Sequence, residues 1–105
     1  MAINNSQRAV PAPELIQTMN GTNVLIGQLV ASPVIIIFDN LGSVAVTITI
    51  NSVQWKTFSA GEAIVLDMRG NHGIAANFTF DAGTIITGNG ASGQFSVSYL
   101  YALNS

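Results

Sequence analysis

Residues 44–50 read Val-Ala-Val-Thr-Ile-Thr-Ile. Strict alternation over seven residues puts Val44, Val46, Ile48 and Ile50 on one side and Ala45, Thr47 and Thr49 on the other. A helix would wrap both sets around its circumference, so this is the period of a strand with one buried face. Asn51-Ser52 then joins it to Val53–Phe58, which predicts a two-residue hairpin. With one such strand fixed, its apolar face needs a second layer to cover it.

The same vocabulary runs through the chain from Asn23 onward. Short β-branched and aromatic segments are separated by Gly, Asn and Asp turns. They are Val24–Ala31, Val34–Phe38, Val44–Ile50, Val53–Phe58, Ala63–Met68, Asn77–Phe80, Thr84–Thr87 and Gln94–Leu103. Val34–Phe38 is apolar throughout, which predicts a central strand covered on both faces. In the last segment Phe95, Val97, Tyr99 and Tyr101 share a face. About eight strands without an intervening helical pattern predict an all-β fold, an antiparallel β-sandwich of the jelly-roll kind.

An internal echo supports this. Phe58-Ser59-Ala60-Gly61-Glu62 returns as Phe80-Asp81-Ala82-Gly83-Thr84. Each copy sets a Phe at a strand end, a Gly where a turn needs positive φ, and a strand after it.

Residues 1–22 differ. They carry Pro11 and Pro13 and few β-branched residues, and read as an extended N-terminal arm before a 23–105 sandwich domain. Pro13 and Glu14 suit a helical first turn, with Leu15, Ile16 and Met19 as its apolar face. An irregular strand docking on a neighbour fits as well. In either form Pro11, Pro13, Leu15, Ile16 and Met19 are the candidate partner-binding residues.

Charge bounds the function. Only 8% of the 105 residues are charged and the net charge is -2, against about 25% charged in an average domain. Arg8, Lys56 and Arg69 are the only cations. Nucleic-acid binding needs several phosphate contacts, so it is not expected. Ten Asn, nine Ser, eight Thr and five Gln keep the surface polar. A surface so poor in charge is weakly protected against association, which suits a domain that meets other protein. No stretch approaches the ~20 apolar residues of a membrane-spanning helix. The polar start lacks the cationic and apolar regions of a secretory leader.

Chemistry is sparse. His72 is the only histidine and there is no cysteine, so no metal site built on two histidines or on thiolates is expected. Asp67 could orient His72 as a base, but no nucleophile is singled out and no Gly-x-Ser-x-Gly elbow occurs. Asp39, Glu62, Asp67 and Asp81 are not spaced as a calcium loop. Asp39 and Asp81 stand at turn starts, where a carboxylate bonds local backbone N–H groups. Gly88–Gly93 lacks the ending of a phosphate loop and reads as a mobile turn. Trp55, Tyr99 and Tyr101 suit either a core or a sugar-stacking surface. The expectation is a protein that is not an enzyme and needs no cofactor.

Residues 57–102 resemble small structural proteins of tailed bacteriophages of the head-decoration or cement type. The resemblance lies in Phe58–Gly61, in Ile64-Val65-Leu66-Asp67-Met68-Arg69, in Phe80–Thr84, and in Gly93-Gln94-Phe95-Ser96-Val97-Ser98-Tyr99. It implies a β-sandwich subunit, often a homotrimer, bound to the major capsid protein on the outer surface of a virion assembled in the host cytoplasm. The competing expectation is a tail or fibre adhesion module that binds host-surface glycans.

Overall fold

The computed structural model describes residues 7–68 and 80–104. Among them are nine strands and no helix: β1 (Gln7–Pro11), β2 (Leu15–Thr18), β3 (Asn23–Gln28), β4 (Pro33–Asn40), β5 (Val46–Ile50), β6 (Val53–Phe58), β7 (Ala63–Asp67), β8 (Ile85–Asn89) and β9 (Gln94–Asn104). The expected strand at 77–80 lies outside the described residues except for Phe80, and so does the loop containing His72.

Pairing is nested and antiparallel: β2 with β9, β3 with β8, β4 with β7, β5 with β6. Two further pairings, β4 with β9 and β5 with β8, join these hairpins into two sheets. Sheet A runs β2-β9-β4-β7, with β1 continuing the β2 edge along β9, and sheet B runs β3-β8-β5-β6. A long hairpin rolled onto itself in this way is a jelly roll. The all-β jelly-roll sandwich expected from the strand pattern is the fold.

The core lies between the sheets. Val46, Ile48 and Ile50 are buried, as the alternation requires, and face Ile36 and Phe38 of β4 and Phe95, Val97 and Tyr99 of β9, whereas Val44 precedes β5 and is only half-buried. Trp55, Phe38, Phe58 and Phe80 cluster with ring centroids 4.9–6.1 Å apart, and Phe95 meets Phe58 edge-on at 5.1 Å. Edge-to-face geometry adds to their area burial. A bulge opposite Ile48 and Thr49 leaves Trp55 as the extra residue of β6, and its ring packs against the core. Lys56 Nζ lies 5.1 Å from the Phe58 ring centroid and 3.1 Å from a Glu62 carboxylate oxygen.

The echoed segments fold alike. Glu62 N–H donates to Ser59 O and Thr84 N–H to Asp81 O, both at 3.0 Å. In return Ser59 N–H donates to Glu62 Oε1 (2.9 Å) and Asp81 N–H to Thr84 Oγ1 (3.0 Å). Gly61 and Gly83 carry φ of 72° and 94°. The hairpin turn is also as expected: Asn51 and Ser52 both have positive φ, 49° and 71°, the two-residue turn whose twist matches its strands.

Four expectations are corrected. Val34–Phe38 is central but covered on one face only: Ile36 and Phe38 are buried, while Ile35 and Ile37 are half-exposed on the outside. Asn40, not Asp39, turns the chain: its Oδ1 accepts Gly42 N–H at 3.0 Å, while Asp39 sits within β4. Asp81 enters its turn through its backbone N–H and C=O. Residues 90–93 are pinned: Met19 N–H donates to Gly93 O and Gly21 N–H to Gly90 O, both at 2.7 Å.

The arm is not helical. Residues 7–11 and 15–18 pair with the two halves of β9, and Ala12 N–H donates to Tyr99 O at 2.9 Å. An unpaired β9 edge offers a row of donors and acceptors that a four-residue helical turn cannot match. Two glycines receive its side chains. Leu15 lies on Gly27, where an added Cβ would come within 2.8 Å of it, and Met19 Sδ lies against Gly88.

Candidate functional site

The inner faces are filled, so the broadest surfaces open to a partner are the two outer faces, and they differ in chemistry. On sheet A the register sets Val65 opposite Ile37, and Ile35 opposite Leu100, which in turn faces Pro11. These five apolar residues form one stripe across four strands. Val65 is 61% exposed; at the far corner of the face Ile16 is 43% exposed. Carboxylates frame the stripe. Asp39 and Asp67 project from β4 and β7 on the same side, and Glu14 Oε2 accepts a 2.7 Å bond from the Ser96 hydroxyl. Three of the five acidic residues of the chain therefore belong to this face.

On sheet B two rows run straight across four strands. The first is Asn23–Asn89–Thr47–Thr57 and the second Leu25–Thr87–Thr49–Gln54. Within the first row Asn89 Nδ2 donates to Asn23 Oδ1 at 2.9 Å, and the Thr47 and Thr57 hydroxyls lie 2.8 Å apart. The sheet is concave here, an open hollow of about 650 Å³ whose described lining is Asn, Thr, Ser and Gln.

The candidate arm residues divide between the body and the surface. Met19 is 2% exposed and Leu15 packs on the core, so both hold the arm to its own sandwich. Pro11, Pro13 and Ile16 are exposed. The residues missed by sequence reasoning are Ile35, Ile37, Val65 and Leu100. Their exposure depends on which neighbour covers each strand, which no local pattern records. Thr47 and Thr49 were readable as the outer set of the alternating strand, but their alignment with Thr87 and Asn89 needs the β5–β8 register.

Other candidates lose their surface role. Tyr99 is 3% exposed and its hydroxyl accepts Val30 N–H at 2.8 Å. Trp55 and Tyr101 pack against the core. Glu62 ionises below its ordinary range of about 4.5, first because the Ser59 N–H bonds its carboxylate and then because of the Lys56 ammonium. That pair buttresses the β6–β7 corner and faces neither outer sheet. Among the described residues no three His, Cys, Asp or Glu come together to hold a metal ion, and no helix is long and apolar enough to cross a membrane. Asp67 lies on β7, and its proposed partner His72 is outside the described residues.

Comparison with family models, with curated proteins and with solved structures finds no match to this chain.

Proposed function

We propose that the chain is a structural subunit that seats on a larger protein shell through the outer face of sheet A, as a phage capsid decoration protein seats on the major capsid protein. The observation that carries this reading is the contrast between the faces: an apolar stripe framed by carboxylates on sheet A, against rows of uncharged Asn, Thr and Gln on sheet B, where Leu25 and Ile85 are exposed only toward the β3 side. Covering half-exposed Ile35, Ile37, Val65 and Leu100 is favourable at about 25 cal/mol per Å² of apolar area. Glu14 and Asp39 on this face call for a complementary surface bearing Lys or Arg beside an apolar patch. Two copies joined face to face through sheet A would bring two acidic faces together, so the face suits a different protein. In the homotrimer that the resemblance implies, contacts between copies fall to the sandwich edges. Many copies on one shell gain avidity from weak single contacts.

The test is co-sedimentation with shells assembled from the major capsid protein of the virus that encodes the chain. Saturable binding that Val65→Lys or Ile37→Asp weakens by tenfold or more is the expected outcome. A chain that stays in the supernatant, or variants that bind like wild type, would overturn the reading.

A further inference from the structure

We infer that the outer face of sheet B is a binding site for a neutral oligosaccharide. This site lies on sheet B alone and is independent of what sheet A touches.

The two rows present hydroxyl and amide groups, each able both to donate and to accept. Sugar hydroxyls have the same dual character, so every ligand group placed here can find a match. Among the described residues no ionisable side chain lines the concavity. A phosphate, sulfate or carboxylate ligand would find no cation there, which argues against nucleic acid and acidic glycans. The core of a protein interface draws on aromatic and aliphatic anchors, and this face offers none at its centre.

The site is also organised in advance. The Asn23–Asn89 and Thr47–Thr57 bonds fix the first row against itself. In the second row no hydrogen bond to the described residues occupies the side chains of Thr49, Thr87 and Gln54, so their donors and acceptors remain available to a ligand. All stand on strands in a four-stranded sheet, so little ordering entropy is lost when a ligand engages them. Leu25 ends that row at 56% exposure. Together with the threonine methyl groups it gives the C–H faces of a sugar ring an apolar bed. An extended chain lying along the second row would meet Leu25, Thr87, Thr49 and Gln54 in turn.

The experiment screens the full-length chain against an array of neutral hexose and N-acetylhexosamine oligosaccharides of four to six units, with sialylated and sulfated glycans beside them. Hits are followed by ¹⁵N–¹H shift titration. Binding to neutral members is expected, insensitive to added salt, with shifts confined to residues 23–25, 47–49, 52–54 and 87–89. Thr49→Val with Thr87→Val removes only two hydroxyls from a sheet that tolerates valine, and should weaken binding about tenfold. Ser98→Ala, on the opposite sheet, should leave it unchanged. The inference is overturned by no neutral hit, by binding restricted to charged glycans and lost in salt, or by shifts mapping to sheet A. Concentration-dependent shifts on this face without sugar would show a second copy as its occupant, and would overturn it too.

Discussion

Asn40 is a buried polar side chain on which several elements converge. It is 1% exposed. Its Nδ2 lies 2.9 Å from Val44 O, 3.2 Å from Phe58 O and 3.0 Å from Ser59 O, and its Oδ1 takes the Gly42 N–H. The amide thus ties the turn after β4 to the corner after β6, across the two sheets. Asn40→Ala leaves two hydrogens' worth of carbonyl acceptors and one N–H without a partner. At about 1–3 kcal/mol for each buried polar group so stranded, with some rehydration, the loss is about 3–4 kcal/mol. For a domain of this size that is a fall in Tm of roughly 15–25 °C. Asn40→Asp is the sharper probe. It keeps the shape and the acceptor for Gly42, but turns an oxygen toward three carbonyl oxygens. The new carboxyl would be held protonated in the folded state, where it can donate one bond, and would ionise freely in the unfolded chain. The folded state then binds more protons above the unfolded value of about 3.9, so this variant loses stability as pH rises. Urea unfolding followed by Trp55 fluorescence at pH 4 and pH 7 measures both effects against wild type. A cost for Asn40→Ala under about 1 kcal/mol, or an Asn40→Asp deficit that does not change with pH, would refute the reasoning.

Further outcomes follow from the backbone and from the Lys56–Glu62 ion pair. Gly93 has φ +85°, and a Cβ there would lie 2.8 Å from Gly42 Cα, so Gly93→Ala should cost more than about 2 kcal/mol. Gly61→Ala, at φ +72° with open space around it, should cost only about 1 kcal/mol; equal costs would remove the close-approach argument. Ser52, at φ 71° in the hairpin turn, pays a left-handed strain that glycine lacks, and Ser52→Gly should raise stability by about 0.5–1 kcal/mol in chemical denaturation. Glu62 ionises more easily folded than unfolded, so its contribution is present above the ordinary carboxylate range near 4.5 and fades as pH falls through the folded value. Glu62→Gln should therefore flatten the acid limb of Tm against pH, and an unchanged limb would show that the Ser59 and Lys56 contacts carry no such linkage.

Where a structural decision was local, the residues declared it. The alternation at Val44–Ile50 fixed a buried face, Asn51-Ser52 fixed a hairpin, and the repeated Phe-x-Ala-Gly fixed two equal corners. Where the decision depended on a distant partner, it was hidden. Leu15–Thr18 became a strand because β9, about eighty residues further on, offered an open edge. Met19 went inside because Gly88 and Gly90 left room for it. Ile35 and Ile37 look as buried as Ile36 and Phe38 in one dimension, and only the pairing of β4 between β9 and β7 shows that they stand half-exposed on the outer side of the sheet. The candidate sites share this property. Both are rows that cross strands, so their members are scattered along the chain and become neighbours only in the folded sheet.

The central claim is that the two outer faces have separate roles, with sheet A turned to the shell. Hydrogen–deuterium exchange on the chain free and bound to capsid shells addresses it directly. The account predicts added protection in β4 and β7 and in residues 11–16, with β5 and β8 exchanging as they do in the free protein. Protection confined to β5 and β8, with β4 and β7 unchanged, would contradict it.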